Sequence, residues 1–344
     1  MAYAALAPPR PDWLDSIVDY YRTYQEPSQA LYSLGEALHL ELETNSLSQS
    51  DARTLAATSQ VAFEKLLLET IRAQLDDVDV DGLVLTGGCA LNVVANEGVR
   101  KALNIPLHVP PAPNDGGISV GALWSVSPPD GDLTPFVGPD LVFDVDERSL
   151  RERGGRKAEV AEIATLVRLG AVVGIAHGRA ELGPRALGHR SIVAAPDRPE
   201  LRDRINASIK SREWYRPVAP AVLSSAAHLY FEEVPRSPYM SFAVAVRESV
   251  RAHVAGAVHV DGTARVQTVD DPSSVLGSLL VALEKRGAPA CVLNTSFNLP
   301  SRPLLQRASA ALEALDTTEL DFAWINGWLV PRNVDVDRQF RQRD

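Results

Sequence analysis

Arg185 and Arg190 stand inside the segment Gly183-Pro184-Arg185-Ala186-Leu187-Gly188-His189-Arg190-Ser191, and Arg212 and Arg216 inside Arg212-Glu213-Trp214-Tyr215-Arg216-Pro217. A guanidinium is planar, permanently charged and forked, so it can grip phosphate or carboxylate oxygens two at a time. Glycine and proline put turns around the first segment, and Lys210 lies two residues before the second. Four arginines in turn-rich sequence predict a site for an anionic, phosphorylated small molecule. A single arginine is more often half of a surface ion pair, worth little. The competing explanation weakens because the polar clusters recur at the ends of expected strands and helices.

Two further clusters fit that pattern. His259-Val260-Asp261-Gly262-Thr263-Ala264-Arg265-Val266-Gln267 brings in Arg265, and Ala290-Cys291-Val292-Leu293 runs into Asn294-Thr295-Ser296-Phe297-Asn298. Asn294, Ser296 and Asn298 are small polar groups able to hydrogen-bond a ligand. Upstream, an apolar run over 82–86 ends in Gly87-Gly88-Cys89-Ala90-Leu91-Asn92 before a helical stretch to about Arg100. Strand, glycine pair and helix together let a backbone approach an anion closely, although a tight turn accounts for the glycines equally well. Asp115, between Asn114 and two glycines, could meet a metal or a ribose hydroxyl; stabilising its own turn is the commoner role.

The elements that must hold these groups follow from periodicity. Phe63, Leu67, Ile71 and Leu75 recur every four residues and predict a helix over 51–75 with that apolar stripe inward. A helix is expected near 157–169, then the strand 171–176, which delivers His177-Gly178-Arg179-Ala180-Glu181 into the arginine segment. Leu201, Ile205 and Ile209 give an amphipathic helix over 199–210, ending at Lys210. Pro128, Pro129, Gly131, Pro135, Gly138 and Pro139 mark a linker at 127–140, separating a domain 1–126 from a domain 141–344. His189 has no assigned role.

Composition sets the outer bounds. A chain of 344 residues with net charge -10 is an ordinary acidic α/β candidate of two domains, poorly suited to a nucleic-acid backbone. Two cysteines exclude a disulfide scaffold or a four-thiolate metal site. No apolar run reaches the roughly 20 residues of a membrane span. The start of the chain has neither a basic opening nor a long apolar run, so no export or membrane is expected and the cytoplasm is the expected compartment.

The segments 178–220, 259–267 and 294–298 resemble the O-carbamoyltransferases of antibiotic and nodulation-factor modification, with similarity from about residue 51 to 330. That resemblance implies a partial actin/sugar-kinase-like lobe, similar to threonylcarbamoyl-transfer proteins. A YrdC-like α/β domain with a twisted open sheet would follow, similar to threonylcarbamoyl-adenylate synthases. It further implies that carbamoyl phosphate and ATP, with Mg2+, yield carbamoyl adenylate. Arg185, Arg190, Lys210, Arg212, Arg216 and Arg265 would hold phosphates, while Asn294, Ser296 and Asn298 would orient the carbamoyl group or the nucleotide. In the N-terminal lobe Gly87, Gly88, Asn92 and Asn96 match nucleotide contacts, and Asp115 matches an aspartate that binds a metal, normally iron, beside the hydroxyl acceptor.

One departure is large. The family's first lobe carries a His-x-x-x-His pair, which puts two imidazoles on one helix face. Here the seven histidines, at 39, 108, 177, 189, 228, 253 and 259, include no such pair. The expectation is a chain lacking that lobe, with iron bound only if a second protein chain or another copy supplies the histidines. A chain that acts alone, or a non-catalytic binding relic, are the alternatives. After Asn298 the sequence reads Pro300-Ser301-Arg302-Pro303 instead of the family's glycine and acidic residue, and Arg302 is expected to serve a turn.

Overall fold

The computed structural model describes residues 1–23, 27–42, 47–76, 78–130 and 134–343. The chain folds into two compact units, Met1–Val84 with Asn92–His108, and Leu85–Leu91 with Val109–Asp344. This division differs from the expected 1–126, 127–140 and 141–344, since residues 109–126 group with the second unit. Residues 131–133 of the expected linker, Gly131 among them, lie outside the described residues.

The first unit holds α1 (Pro11–Arg22), α2 (Pro27–Leu38), α3 (Gln49–Leu75), β1 (Leu83–Val84), α4 (Val93–Leu103) and β2 (Leu107–His108). Pro11 opens α1, where a missing N–H costs nothing, and the Ser48 hydroxyl caps α3 by accepting from Asp51 N at 3.1 Å. Trp13, Ile17 and Val18 of α1, Leu34 and Leu38 of α2 and Ala62 of α3 form its core, with Leu55 and Leu66 packed against them. Burying one such side chain contributes about 1.5–3 kcal/mol. The inward face of α3 therefore runs through 55, 62 and 66, and of the expected stripe only Ile71 is buried, while Phe63 and Leu67 are half-buried. The expected buried strand over 82–86 shortens to the parallel pair β1–β2, with Val84 60% exposed.

The second unit continues with α5 (Ile118–Val126), α6 (Glu147–Glu152), β3 (Arg156–Lys157), α7 (Val160–Arg168), β4 (Val173–Ala176), β5 (Arg190–Ala194) and α8 (Pro199–Arg204). After a π turn (Ile205–Ile209) come β6 (Ala219–Leu223), α9 (Ala227–Tyr230), β7 (Phe242–Ala245), β8 (Thr263–Val269), α10 (Val275–Glu284) and β9 (Cys291–Ser296). The chain closes with α11 (Ala308–Thr317), β10 (Phe322–Ile325), β11 (Trp328–Pro331) and α12 (Val334–Arg341).

A mixed sheet orders these strands β3-β11-β10-β4-β5-β9-β6-β8-β7. Only β4–β10 and β6–β8 pair in parallel; the other neighbours are antiparallel. Every residue of β4, β5, β6, β10 and β11 is buried, which requires cover on both sheet faces, and α7, α10 and α11 pack on these strands. Val173–Ala176, Ser191, Asn294 and Gln267 thus sit on a rigid floor.

Candidate functional site

On a strand, residues two apart share a face, so Arg265 and Gln267 of β8 point the same way, as do Asn294 and Ser296 of β9. Gln267 and Asn294 meet directly: Asn294 Nδ2 donates to Gln267 Oε1 at 2.7 Å. The same Nδ2 donates to Ala186 O at 3.1 Å, and Gln267 Nε2 to Leu187 O at 3.0 Å. Two buried carboxamides therefore stitch the arginine loop to the sheet at Ala186 and Leu187. Asn294 Oδ1 keeps no protein partner.

Glu181 holds the other side of that loop. Its Oε1 accepts from the backbone N–H groups of Leu187 (2.8 Å), His189 (2.8 Å) and Arg190 (3.0 Å), and the side chain is buried. Gly183 lets the loop pass against the segment that leads to Asp115: its φ is +98°, and a Cβ there would meet Pro111 O at 2.0 Å. No other residue type fits without moving that backbone.

Among the described residues Arg185, Arg212 and Arg265 form no ion pair with a carboxylate. Arg265 is part-buried, and desolvation together with the charges of Arg185 and Arg212 pushes it down to about 9. Arg185 is lowered by burial alone, while burial, Arg216 and a smaller opposing pull from Glu213 leave Arg212 at about 10. All three remain charged at neutral pH. Arg265 Nε and Arg212 Nη2 lack protein partners, so the cluster is an unneutralised concentration of positive charge, costly until an anion enters.

Lys210 follows the π turn, in which its own N–H reaches Ile205 O at 2.9 Å. Its Nζ donates toward Ser296 O (2.8 Å), Ser296 Oγ (3.2 Å), Asn298 O (3.1 Å) and Asn298 Oδ1 (2.6 Å). Burial, then the Arg212 charge, push it down to about 7. Its N–H bonds are taken up by neutral acceptors, so a lysine near that value adds positive charge to the neighbouring cluster when protonated and accepts a proton when not.

Arg190 corrects the sequence expectation. It is fully buried, and its guanidinium donates to Leu305 O (2.9 Å), His177 O (2.5 Å), His189 O (3.0 Å) and Gly178 O (2.8 Å). A fork engaged by carbonyls at all three nitrogens fastens the loop and is not free to grip a phosphate. Arg216 is half-exposed and paired with Glu213 at 2.7 Å. Asn298 is committed to Lys210, Leu299 O and Arg302 O, so it positions the lysine. Arg302 closes the expected turn onto Leu299 O and pairs with Glu313 of α11 at 2.8 Å. A cavity of about 290 Å³ opens beside Asn298, lined by Leu299, Pro303, Leu305, Ala310 and Ala314. His189 stacks on Phe136 (centroids 3.5 Å apart) and leans on His177, which burial above all drives to about 3 and keeps neutral.

The upstream expectations are placed less tightly. Gly87 and Gly88, exposed in the second unit, have nothing within 4 Å of an added Cβ, so their backbone is open to a ligand. Asn92, in the first unit, caps α4 by accepting from Ala95 N at 3.2 Å and exchanges hydrogen bonds with Gln60. Asn96 is buried on α4. Asp115 is exposed and opens a short 3-10 turn, and among the described residues no three His, Cys, Asp or Glu side chains gather to hold a metal. Those residues do not fit an iron centre. Glu181, Gln267 and Asn206, which grips Arg212, were missed from sequence; only Gln267 carried a signal, its two-residue spacing from Arg265.

Two family descriptions match the chain: Carbamoyltransferase N-terminus over residues 16–124 and Carbamoyltransferase C-terminus over residues 164–332. The similarity thus begins well before the expected residue 51. Nodulation protein NolNO of Sinorhizobium fredii is 37% identical over 302 residues, covering 82% of this chain and 44% of that protein. Nodulation protein NolO of Bradyrhizobium diazoefficiens is 37% identical over 298 residues, covering 81% of this chain and 54% of that one. The chain spans about half the length of these relatives. Full-length HypF, in a phosphate- and nucleotide-bound crystal structure, aligns over 66% of this chain and 36% of its own at 14% identity and a TM-score of 0.34. Among the described residues no helix is long and apolar enough to cross a membrane. With both halves matched in order, the chain belongs to the carbamoyltransferase family.

Proposed function

We propose that the second unit, a YrdC-like domain in this reading, makes carbamoyl adenylate from carbamoyl phosphate and ATP for transfer to a hydroxyl of a small natural product. The observation that carries this is the unneutralised group Arg185, Arg212 and Arg265 beside Lys210. Water cleaves carbamoyl phosphate to carbamate and inorganic phosphate. A carbamate oxygen then attacks the α-phosphorus of ATP, expelling pyrophosphate; attack of the acceptor oxygen on the carbamoyl carbon finally releases AMP and the carbamate ester. Positioned cations supply most of the stabilisation for such steps. Mg2+ would be carried on the triphosphate, the usual mode for this ion, and would neutralise part of its charge.

Iron at the transfer step would require histidines from a second chain or another copy. In α5 none of the nine residues is buried, and Ile118, Leu123 and Val126 are 66, 61 and 81% exposed, which supports a protein partner on that helix. The test is pyrophosphate release by the purified chain. Release that needs both ATP and carbamoyl phosphate is expected; release with ATP alone, or none with both, removes the reading.

A further inference from the structure

Asn206 is the second residue of the π turn and 1% exposed. Its carboxamide is spent entirely on the loop that follows. Oδ1 accepts from Arg212 Nε at 2.7 Å, and Nδ2 donates to Arg216 O at 2.9 Å and Trp214 O at 3.4 Å. Its backbone carbonyl also accepts from Arg212 N at 2.9 Å. The amide orientation is dictated by chemistry, because a guanidinium only donates and a carbonyl only accepts.

The π turn makes this grip possible. One extra residue in the turn swings the chain wide, a form that recurs at functional sites. Ser211 then takes φ +47°, a left-handed conformation that reverses the chain and brings Arg212 back over Asn206. With Nε held, Arg212 Nη2 has no protein partner among the described residues, and the Arg212 charge acts on Arg265. Arg265 Nε in the same cluster is unpartnered among the described residues, whereas Arg212 Nε is held by the buried Asn206.

We propose that Asn206 is the positioning residue of the anion site, acting through Arg212 and the carbonyls of Trp214 and Arg216; this rests on the reading of the cluster as a phosphate site. It touches no substrate. It fixes which guanidinium edge a phosphoryl oxygen meets, an effect that grows as charge builds on that oxygen.

The test is a double-mutant cycle on the full chain, with inorganic pyrophosphate as the binding probe and pyrophosphate release as the activity. Asn206→Ala is expected to weaken pyrophosphate binding by about tenfold or more, and in an Arg212→Ala background to change it less than about twofold. Asn206→Asp keeps the acceptor for Arg212 Nε but cannot donate to the carbonyls and neutralises the guanidinium, so it should bind at least as weakly as Asn206→Ala. An Asn206→Ala effect of equal size with and without Arg212, or Asn206→Asp binding as tightly as wild type, overturns the proposal. Should Asn206→Ala fail to fold, the near-isosteric Asn206→Asp decides alone. A wild-type chain that binds pyrophosphate without turning over would sink the catalytic reading while leaving the Asn206 test intact.

Discussion

Lys210 Nζ donates to Asn298 Oδ1 at 2.6 Å, joining the end of the π turn to the loop after β9. The contact fixes the amine while leaving it uncompensated, since its acceptors are all neutral. Burial has therefore drawn Lys210 down to about 7. An incoming anion favours the charged amine and raises that value again. Binding then takes up a proton, so affinity is full below the anion-free value and declines as pH rises through it. Sulfate, a dianion across this range, should bind the wild-type chain progressively more weakly from about pH 6 to 9, by up to about tenfold per unit. Lys210→Met should bind weakly with a flatter profile; a flat wild-type profile would contradict the assignment.

Arg265 offers a test of stability against function. Its part-buried charge is poorly solvated and repelled by those of Arg185 and Arg212, so removing it relieves repulsion and desolvation. Arg265→Met should melt at or above the wild-type temperature without ligand. Saturating pyrophosphate, at about 100 times its Kd, stabilises a binding chain by about 2.7 kcal/mol, and this gain should vanish in the variant. A variant that unfolds easily yet retains the ligand shift would reverse the account.

Arg185 and Arg190 lie five residues apart and should fail in opposite ways. Arg185→Ala is expected to abolish adenylate formation with the fold intact, because Arg185 has no acidic partner to lose. Arg190→Ala would remove the guanidinium from four carbonyls, of which those of Gly178 and His189 keep a backbone donor, and should cost about 3–5 kcal/mol, seen in denaturant unfolding. Equal stability of the two variants would show that Arg190 is not the fastening described.

Glu181 should tolerate one change and not another. Glu181→Ala leaves three backbone donors without their acceptor and is expected to cost about 3 kcal/mol or more. Glu181→Gln keeps one carbonyl oxygen where those donors converge and should recover most of that loss, with activity following stability. A Gln variant as unstable as Ala would place the role in the charge instead.

The sequence marked the cations that the structure groups together. Arg185, Arg212, Arg265 and Lys210 stood out by residue type and by the turn-rich or strand-end sequence around them, and Leu201, Ile205 and Ile209 are buried as their spacing foretold. That spacing could not reveal the π turn, because an apolar residue every fourth position suits an α-helix equally well. Nor could it separate Arg190 from its neighbours. What distinguishes it is the convergence of carbonyls from residues 177, 178, 189 and 305, a property of tertiary structure. In α3 the stripe was misplaced because both faces carry apolar residues, and packing against α1 chose 55, 62 and 66. Glu181 gave no signal, since an acidic residue shortly before a glycine reads as solvated loop.

The central claim is that the cluster around Arg265 activates a carbamoyl group. Its most direct test is to mix the purified chain with carbon-labelled carbamoyl phosphate, ATP and Mg2+, quench within seconds, and resolve the labelled products. The account predicts labelled carbamoyl adenylate with an equal amount of pyrophosphate, both lost in Arg185→Ala and Arg265→Met. Label remaining in carbamoyl phosphate in the wild-type reaction, or labelled adenylate persisting in both variants, would contradict it.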